Sequence, residues 1–513
     1  MKKNLLYAVL LLAGSMGSAF AQGPEDQDVL KKIKEQGLYN SKVMETAFYL
    51  TDVSGPRLSG SPGLKRAQDW AVNQLKTMGL EAKREPWGKF GKGWEVQKNY
   101  AAITVPYYHA IIAIPKAWTP GTNGLFKGDV VYVKIDTITD LDKYKGKLKG
   151  KVVIVDARPP VEINFTRPDA SRYTDSALNA MANATGQPNG RRGAPGGRPR
   201  ALGVSLALRA AISQFEVDEG AGLVLSQARG TDGTVFTTNG ASYRDTAKAV
   251  CPELETSSED YQRILRLVKA GIKVSMEADI KTEFFTKDLQ GYNVIGEITG
   301  TDPKLKEQVV MIGGHLDSWH GATGGTDNAA GSAVMMEAIR ILTRIGFHPR
   351  RTIRIALWSS EEQGEFGSKG YVLNHFGDPE TMILKPEQAK ISAYYNLDNG
   401  TGKIRGIYLQ NNAAAGPIFQ SWLAPFKDLG ASTVTIRNTG STDHVAFDAV
   451  GIPGFEYLQD PMDYGARTHH SNQDTYDKIS GDDLKQAATI VAWFVYNTAQ
   501  RDEMIPRKDE TRF

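Results

Sequence analysis

The sequence of 513 residues contains a single cysteine, Cys251. One thiol cannot form an internal disulfide, so stability must come from a buried core or from bound metal. Hydrophobic residues make up 41% of the chain and charged residues 23%, which is close to the composition of globular proteins. We therefore expect a large folded enzyme, or about three domains, in which Cys251 is a small buried side chain.

An excess of charge of one sign is also missing. The 61 Lys and Arg residues nearly balance the 58 Asp and Glu residues, and the net charge is +3. Proteins dedicated to nucleic acids or to membrane surfaces need a strong basic excess. Nucleic acid is therefore not an expected partner.

Long hydrophobic runs are absent. After the amino-terminal segment, no stretch approaches about 18 uninterrupted apolar residues. At the start, two lysines precede the apolar run of residues 5–13, and an Ala-Phe-Ala sequence ends at Ala21. This pattern is typical of a secretory signal peptide that is cleaved after Ala21. We expect a secreted or periplasmic protein without stable membrane insertion.

The rest of the chain changes its pattern twice. Residues 22–119 begin with helical periodicity, residues 120–283 predict compact strands between Gly and Lys turns, and residues 284–513 alternate strands with helices. The last pattern predicts a mixed α/β sheet with helices on both faces, formed by the first and third segments around an inserted α/β domain. Within the insertion, residues 186–200 are rich in Gly, Pro and Arg and predict a mobile loop.

The third segment contains the elements on which a site would depend. Strands are predicted at residues 309–313, 352–358 and 404–409, and helices at residues 329–343 and 482–497. Loops at the carboxyl ends of such strands are the usual place for a site.

Five loops of this segment carry histidines or carboxylates. One such residue is more often a cap or a solvated side chain, but five loops in one domain indicate a metal centre. A mixed set without thiols suits zinc, or manganese and cobalt as looser alternatives. Two metals about 3.5–4 Å apart need a bridging carboxylate, further ligands for each ion and a base. The loops are Gly314-His315-Leu316-Asp317, Gly325-Thr326-Asp327-Asn328, Ser360-Glu361-Glu362-Gln363, Asn396-Leu397-Asp398-Asn399 and His469-His470-Ser471-Asn472-Gln473-Asp474-Thr475.

In order, spacing and flanking glycines, these loops resemble those of the co-catalytic zinc peptidase family that contains bacterial leucyl-type aminopeptidases and plasma glutamate carboxypeptidase. The sequence Gly-Pro-Arg-Leu-Ser-Gly at residues 55–60 resembles the amino-terminal region of that family. Residues 120–283 resemble the protease-associated domain inserted in many members. The resemblance implies a zinc exopeptidase-like fold, peptide substrates and two zinc ions per chain.

The resemblance also implies a ligand for each motif. His315 and Asp398 would bind one zinc ion, Glu362 and His470 would bind the other, and Asp327 would bridge the two. His470 is preferred to its neighbour because the family pattern His-Thr/Ser-x-x-Asp-Thr matches residues 470–475.

Other residues would act around the metals. Glu361 would be the general base, and the Asp317 carboxylate would accept the ring N–H of His315 and fix its tautomer. Asp443 and His444 resemble the family's Ser/Thr-Asp-His-x-x-Phe stretch, which lines the substrate pocket. They could equally form a turn or a structural pair.

Analogy with similar bacterial sequences favours an aminopeptidase. The first alternative is a carboxypeptidase or dipeptidase, which would need a cation such as Arg467 or Arg437 to bind a substrate carboxylate. The second is a non-catalytic binding protein, because some relatives have lost ligands, and the third is single-metal glutaminyl cyclisation. The sequence predicts neither residue preference nor oligomeric state.

Overall fold

The computed structural model describes residues 24–155, 164–185 and 206–508. The predicted signal peptide and the predicted loop at residues 186–200 lie outside them. The strands are β1 (Glu81–Lys89), β2 (Gly93–Val105), β3 (His109–Ala110), β4 (Ala113–Pro115), β5 (Phe126–Val133), β6 (Val152–Val155), β7 (Leu223–Gln227), β8 (Glu253–Thr256), β9 (Ser275–Phe285), β10 (Gln290–Ile298), β11 (Val309–His315), β12 (Thr352–Trp358), β13 (Gly377–Asp378), β14 (Ile383–Leu384), β15 (Ile391–Asn396), β16 (Ile404–Tyr408), β17 (Thr433–Thr435) and β18 (Gly454–Gln459).

Helices accompany these strands along the chain. In the part of the chain that the structure describes, none is long and apolar enough to cross a membrane. They are α1 (Pro24–Lys34), α2 (Val43–Phe48), α3 (Pro62–Thr77), α4 (Asp175–Ala182), α5 (Leu206–Asp218), α6 (Ser258–Lys269), α7 (Ala330–Arg344), α8 (Phe366–His375), α9 (Gly416–Leu423), α10 (His444–Asp448) and α11 (Gly481–Gln500).

Two eight-stranded sheets organise the chain. The first has the order β1-β10-β12-β11-β15-β18-β16-β17, and the second has the order β3-β2-β9-β5-β6-β7-β8-β4. In the middle of the first sheet, β12, β11, β15 and β18 are parallel, whereas β10 runs antiparallel to β12. The carboxyl ends of the four parallel strands therefore lie at one edge, as the predicted mixed sheet requires.

Both faces of the first sheet are covered. Side chains alternate between the faces along β11: Val310 and Ile312 pack into a core with α3, α7 and α11, whereas Val309 and Met311 pack with α8 and α10. A strand that is buried on both faces has no polar alternation. This explains the continuous apolar run at the start of β11 and confirms the prediction of helices on both faces.

The second sheet begins well before the predicted boundary at residue 120. Strand β2 pairs with β9 along most of its length, from Gly93 opposite Phe285 to Val105 opposite Ser275, and β3 and β4 belong to the same sheet. The middle of β2, at residues 97–99, is exposed and polar, so the sequence pattern does not show that this strand joins the second sheet. Residues 93–285 are called the second-sheet unit below.

Candidate metal centre

The loops after the parallel strands of the first sheet bring the predicted ligands together. His315 is the last residue of β11, Glu361 and Glu362 follow β12 after two serines, and Asp398 follows β15 by two residues. Because these strands end at one edge, their loops converge there. Asp327 joins them from the π-helical turn Gly325–Ala329 that precedes α7.

One group of ligands surrounds His315. Its Nε2 lies 3.2 Å from Asp327 Oδ1 and 3.1 Å from Asp398 Oδ1. One ligand atom from each residue lies within 4.8 Å of the others, as a shared cation requires. The prediction that His315 and Asp398 share a metal with Asp327 therefore has the geometry it needs.

A second group surrounds His470. Its Nε2 lies 2.8 Å from Glu362 Oε2 and 3.4 Å from Asp327 Oδ2. His469 is farther from the bridge, with its Nε2 4.0 Å from Asp327 Oδ2. The geometry thus favours His470 as the partner of Glu362, in agreement with the sequence pattern.

Asp327 connects the two groups because its oxygens face different histidines: Oδ1 faces His315 and Oδ2 faces His470. Asp327 Oδ2 and both oxygens of Glu362 are buried and accept no hydrogen bond from the described residues, although His470 Nε2 lies at ion-pair distance from Asp327 Oδ2 and Glu362 Oε2. Buried carboxylate oxygens without donors are costly. Divalent cations would satisfy them, and a set of histidines and carboxylates without thiols suits zinc. These residues therefore fit a two-metal centre.

The shifted pKa values of the buried carboxyl groups also favour a metal centre. Burial raises the pKa of Glu361 well above its ordinary value, and the charges of Asp398, Asp443 and Glu362 add to the increase while His315 opposes it. Burial and Asp327 likewise raise the pKa of Glu362. So many carboxylates in one buried place repel each other, and positive charge at the centre would relieve that repulsion.

Contrary to the sequence prediction, the Asp317 carboxylate does not accept the ring N–H of His315. His315 Nδ1 lies 2.9 Å from the main-chain oxygen of Asp317 and 3.7 Å from its carboxylate, so the carbonyl fixes the ring. The Asp317 carboxylate instead accepts the backbone N–H groups of Glu361 at 3.2 Å and Glu362 at 3.4 Å, and the Ser59 hydroxyl at 3.2 Å. This carboxylate therefore binds two backbone N–H groups of the neighbouring loop rather than the His315 ring.

Two carboxylates to which the sequence analysis assigned no role support the proposed ligands. Asp474 accepts the backbone N–H of Thr326 at 2.6 Å and that of Asp327 at 3.1 Å. Glu456 accepts the backbone N–H of Asp398 at 2.8 Å. Asp474 lies in a motif that the sequence singled out, whereas Glu456 is one acid within the apolar strand β18 and carries no local signal.

Arg57 explains the amino-terminal motif at residues 55–60. It is fully buried and donates to the main-chain oxygens of Leu316 at 2.6 Å and Gly324 at 2.8 Å. Burial lowers its pKa to about 10, while Asp474 and Asp317 oppose the decrease. Arg57 therefore fixes both ends of the loop between β11 and the Asp327 turn.

The predicted substrate residues lie in different surroundings. Asp443 is fully buried, and burial together with Asp398 and Glu365 raises its pKa well above the ordinary value against the opposing charge of His315. His444 Nε2 lies 3.2 Å from the main-chain oxygen of Thr439, and burial lowers its pKa to about 4. Asp443 therefore belongs to the charged surroundings of the centre, whereas His444 fits the structural alternative.

Arg467 is engaged by the second-sheet unit. Its Nε lies 2.9 Å from Asp169 Oδ2, Nη2 lies 2.7 Å from Asp232 Oδ2, and Nη1 lies 2.7 Å from the main-chain oxygen of Thr231. All three guanidinium nitrogens are thus occupied. Arg467, one of the two cations that a carboxypeptidase was expected to use, is therefore engaged within the protein itself.

Known proteins resemble this chain over most of its length. Residues 293–495 match the model of peptidase family M28. The chain is 26% identical over 490 residues to carboxypeptidase Q of Homo sapiens, with 94% of this chain and 90% of that protein covered. A solved peptidase M28 precursor of Shewanella amazonensis SB2B is 25% identical with a TM-score of 0.66, covering 95% of this chain and 99% of its own.

A third relative is described as a zinc aminopeptidase, BSAP from Bacillus subtilis. It is 18% identical with a TM-score of 0.56 over 90% of this chain and 95% of its own, and supports the fold alone. The family match covers the segment that supplies all five predicted ligands, which makes the protein a metallopeptidase. Residues 293–495 are similar to the M28 peptidases, so the resemblance seen in the sequence is confirmed. The comparison of residues 120–283 with a protease-associated domain stays a prediction.

Proposed function

We propose that the protein is an exported di-zinc exopeptidase that releases amino-terminal residues from peptides. One observation carries the proposal: the two oxygens of Asp327 face two separate groups of ligands, with Glu361 beside them. The zinc assignment is supported by the donor set, which combines histidines and carboxylates without thiols. Export rests on the predicted signal peptide alone.

The chain's own residues divide the work of hydrolysis. When bound, a pair of zinc ions lowers the pKa of a water molecule and polarises a carbonyl group. The carboxylate of Glu361 lies with its Oε2 4.0 Å from His315 Nε2. From this position Glu361 takes a proton from the attacking water and delivers it to the leaving amine. Asp317 holds the Glu361 backbone in place.

An acidic cluster beside the proposed ligands, formed by Glu361, Asp443 and Glu365, suits a free α-amine. Asp443 is buried close enough to Glu361 for its charge to raise the pKa of that residue, and Glu365 acts in the same way on Asp443. A substrate ammonium group would neutralise some of this charge. This acidic cluster therefore favours substrates with an unblocked amino terminus, and engagement of Arg467 weakens the case for carboxylate recognition.

A dipeptidase or carboxypeptidase is the second candidate, because Arg229 brings positive charge to the same region. Burial lowers the pKa of His470, and the charge of Arg229 adds to the decrease. The guanidinium lies 4.6 Å from the ring centroid of Phe236. A short peptide could then be held at both ends, which agrees with the similarity to carboxypeptidase Q.

A matched set of peptides tests the proposal. An unblocked tripeptide, its N-acetylated form and its carboxyl-terminal amide are incubated with the zinc-loaded protein, and products are identified by mass spectrometry. We expect the free peptide and the amide to lose their amino-terminal residue and the acetylated peptide to resist. Cleavage of the acetylated peptide that disappears on amidation would establish a carboxypeptidase, and cleavage of dipeptides alone would establish a dipeptidase.

A further inference from the structure

The second-sheet unit contacts the metal centre directly. Its segment of residues 231–239, called the docking segment here, lies against the loop that carries His470. Val235 N donates to the side-chain oxygen of Asn472 at 2.8 Å, Asn472 N donates to the Val235 carbonyl at 3.0 Å, and Phe236 forms a bridge pair with Ser471. The second-sheet unit thus pairs with the chain immediately after the ligand.

Thr237 makes the closest contact to the ligand itself. Its backbone N–H and its hydroxyl both donate to the main-chain oxygen of His470, at 2.7 Å and 3.0 Å. His470 has a positive φ of 63°, a conformation that costs free energy in any residue other than glycine. Two donors on one carbonyl hold that peptide and set the direction in which the imidazole leaves it.

Arg467 anchors the other side of the same loop. It lies three residues before His470 in the turn Tyr464–Thr468, and its guanidinium contacts Asp232 and Thr234 of the docking segment as well as Asp169. The ligand is therefore held between two attachments to the second-sheet unit. In contrast, His315, Asp398 and Glu362 follow strands of the first sheet.

We propose that the second-sheet unit completes the Glu362–His470 half of the metal centre, with Thr237 as the positioning residue, so that this half binds zinc only while the docking segment is in place. The inference rests on the proposed two-zinc site. According to this inference, the second-sheet unit positions a ligand of the metal centre that the first sheet carries. Groups that orient a metal ligand typically change metal affinity by about 10–100-fold when they are removed.

Zinc titration of the metal-free protein tests this inference without any activity assay. Thr237→Val removes the hydroxyl and keeps the shape, Thr237→Ser restores the hydroxyl, and Thr282→Val makes the same change at a hydroxyl that donates to Thr119 inside the second-sheet unit. We expect Thr237→Val to weaken one of the two zinc sites about 10-fold and leave the other unchanged. Thr237→Ser and Thr282→Val should match the wild type within about twofold.

A second variant guards against a folding defect. Asp232→Asn changes a largely exposed carboxylate and should weaken the same site in the same direction, by a smaller factor. Unchanged affinity at both sites in Thr237→Val, or equal losses in Thr237→Val and Thr282→Val, would overturn the inference. A wild type that binds two zinc ions but cleaves no peptide refutes the proposed function and leaves the inference standing, whereas a wild type that binds fewer than two refutes both.

Discussion

Glu456 accepts a hydrogen bond from the backbone N–H of Asp398 at 2.8 Å, across 58 positions of sequence. Its other oxygen accepts from the Asn396 amide at 2.7 Å. Strand β18 therefore supports the ligand that follows the neighbouring strand β15. Through this bond the adjacent parallel strand fixes where the Asp398 loop leaves the sheet.

Glu456→Gln should weaken zinc binding at the His315–Asp398 half. Each oxygen of Glu456 now accepts a hydrogen bond, one from the Asp398 backbone and one from the Asn396 amide. A glutamine has one oxygen, so its NH₂ group would face one of these donors. We expect a loss of about 10-fold or more in affinity, measured by competition with a chelator. Glu297→Gln removes a carboxylate that contacts Arg354 in the same sheet and should bind zinc normally. Equal affinity in both variants would leave Glu456 without a role in the centre.

Glu361→Gln should abolish turnover and leave zinc content nearly intact, because Glu361 is proposed as the base and not as a ligand. A general base typically contributes about 10²–10⁴-fold to the rate. Elemental analysis and kcat measured on the same preparation check this. Substantial loss of zinc would mean that the roles of Glu361 and Glu362 are reversed.

Asp327→Ala should be worse than removal of any other ligand because Asp327 faces both groups. We expect the loss of both metals together, whereas Asp398→Ala should lose one. The zinc stoichiometry, measured after dialysis has removed the unbound metal, distinguishes the two variants. An Asp327→Ala protein that keeps one tightly bound zinc ion and most of its activity would exclude the bridge.

The sequence could propose the metal ligands because the signals that mark them are local. His315, Glu362 and His470 stand in short motifs at strand ends or before a recognisable Asp-Thr pair, and a strand end is visible in the apolar pattern. The helices α7 and α11 were found within three residues at each end for the same reason. Helices with a strong hydrophobic periodicity can therefore be located from the sequence alone.

What the sequence concealed depends on contacts between distant segments. The role of Glu456 exists only because β18 lies beside β15, and the Asp317 carboxylate found its donors in a loop 44 positions away. The start of the second sheet was missed because the centre of β2 is polar and exposed. No local pattern reports which strands become neighbours.

Stability should fall as the pH rises from 4.5 to about 8 because of one buried carboxyl group outside the metal centre. Burial raises the pKa of Glu216 to about 8 from an ordinary value of 4.5, and the charge of Glu253 adds to the increase. As the pH rises, the unfolded chain loses this proton first, so stability decreases between pH 4.5 and about pH 8.

Glu216→Gln removes that dependence. At pH 5 the variant and the wild type should melt at similar temperatures, and at pH 8.5 the variant should melt about 5 °C higher. Asp218→Asn changes an exposed carboxylate on the same helix and should follow the wild type at both values. Parallel melting curves for all three proteins would show that Glu216 does not titrate on unfolding.

Kinetics can separate the role of the acidic cluster around Asp443 from the role of the metals. If Asp443 helps to hold the substrate amine, Asp443→Asn should raise KM for an unblocked aminoacyl anilide about 10-fold, while kcat changes less and both zinc ions remain. The reason is that an amide removes the negative charge without removing a proposed metal ligand. Asp448→Asn is the matched control, because Asp448 ends the short helix α10 that Asp443 precedes and is paired with Lys508. A fall in kcat with KM unchanged would assign Asp443 to the chemical step rather than to recognition, and loss of zinc would show that it supports the metal centre instead.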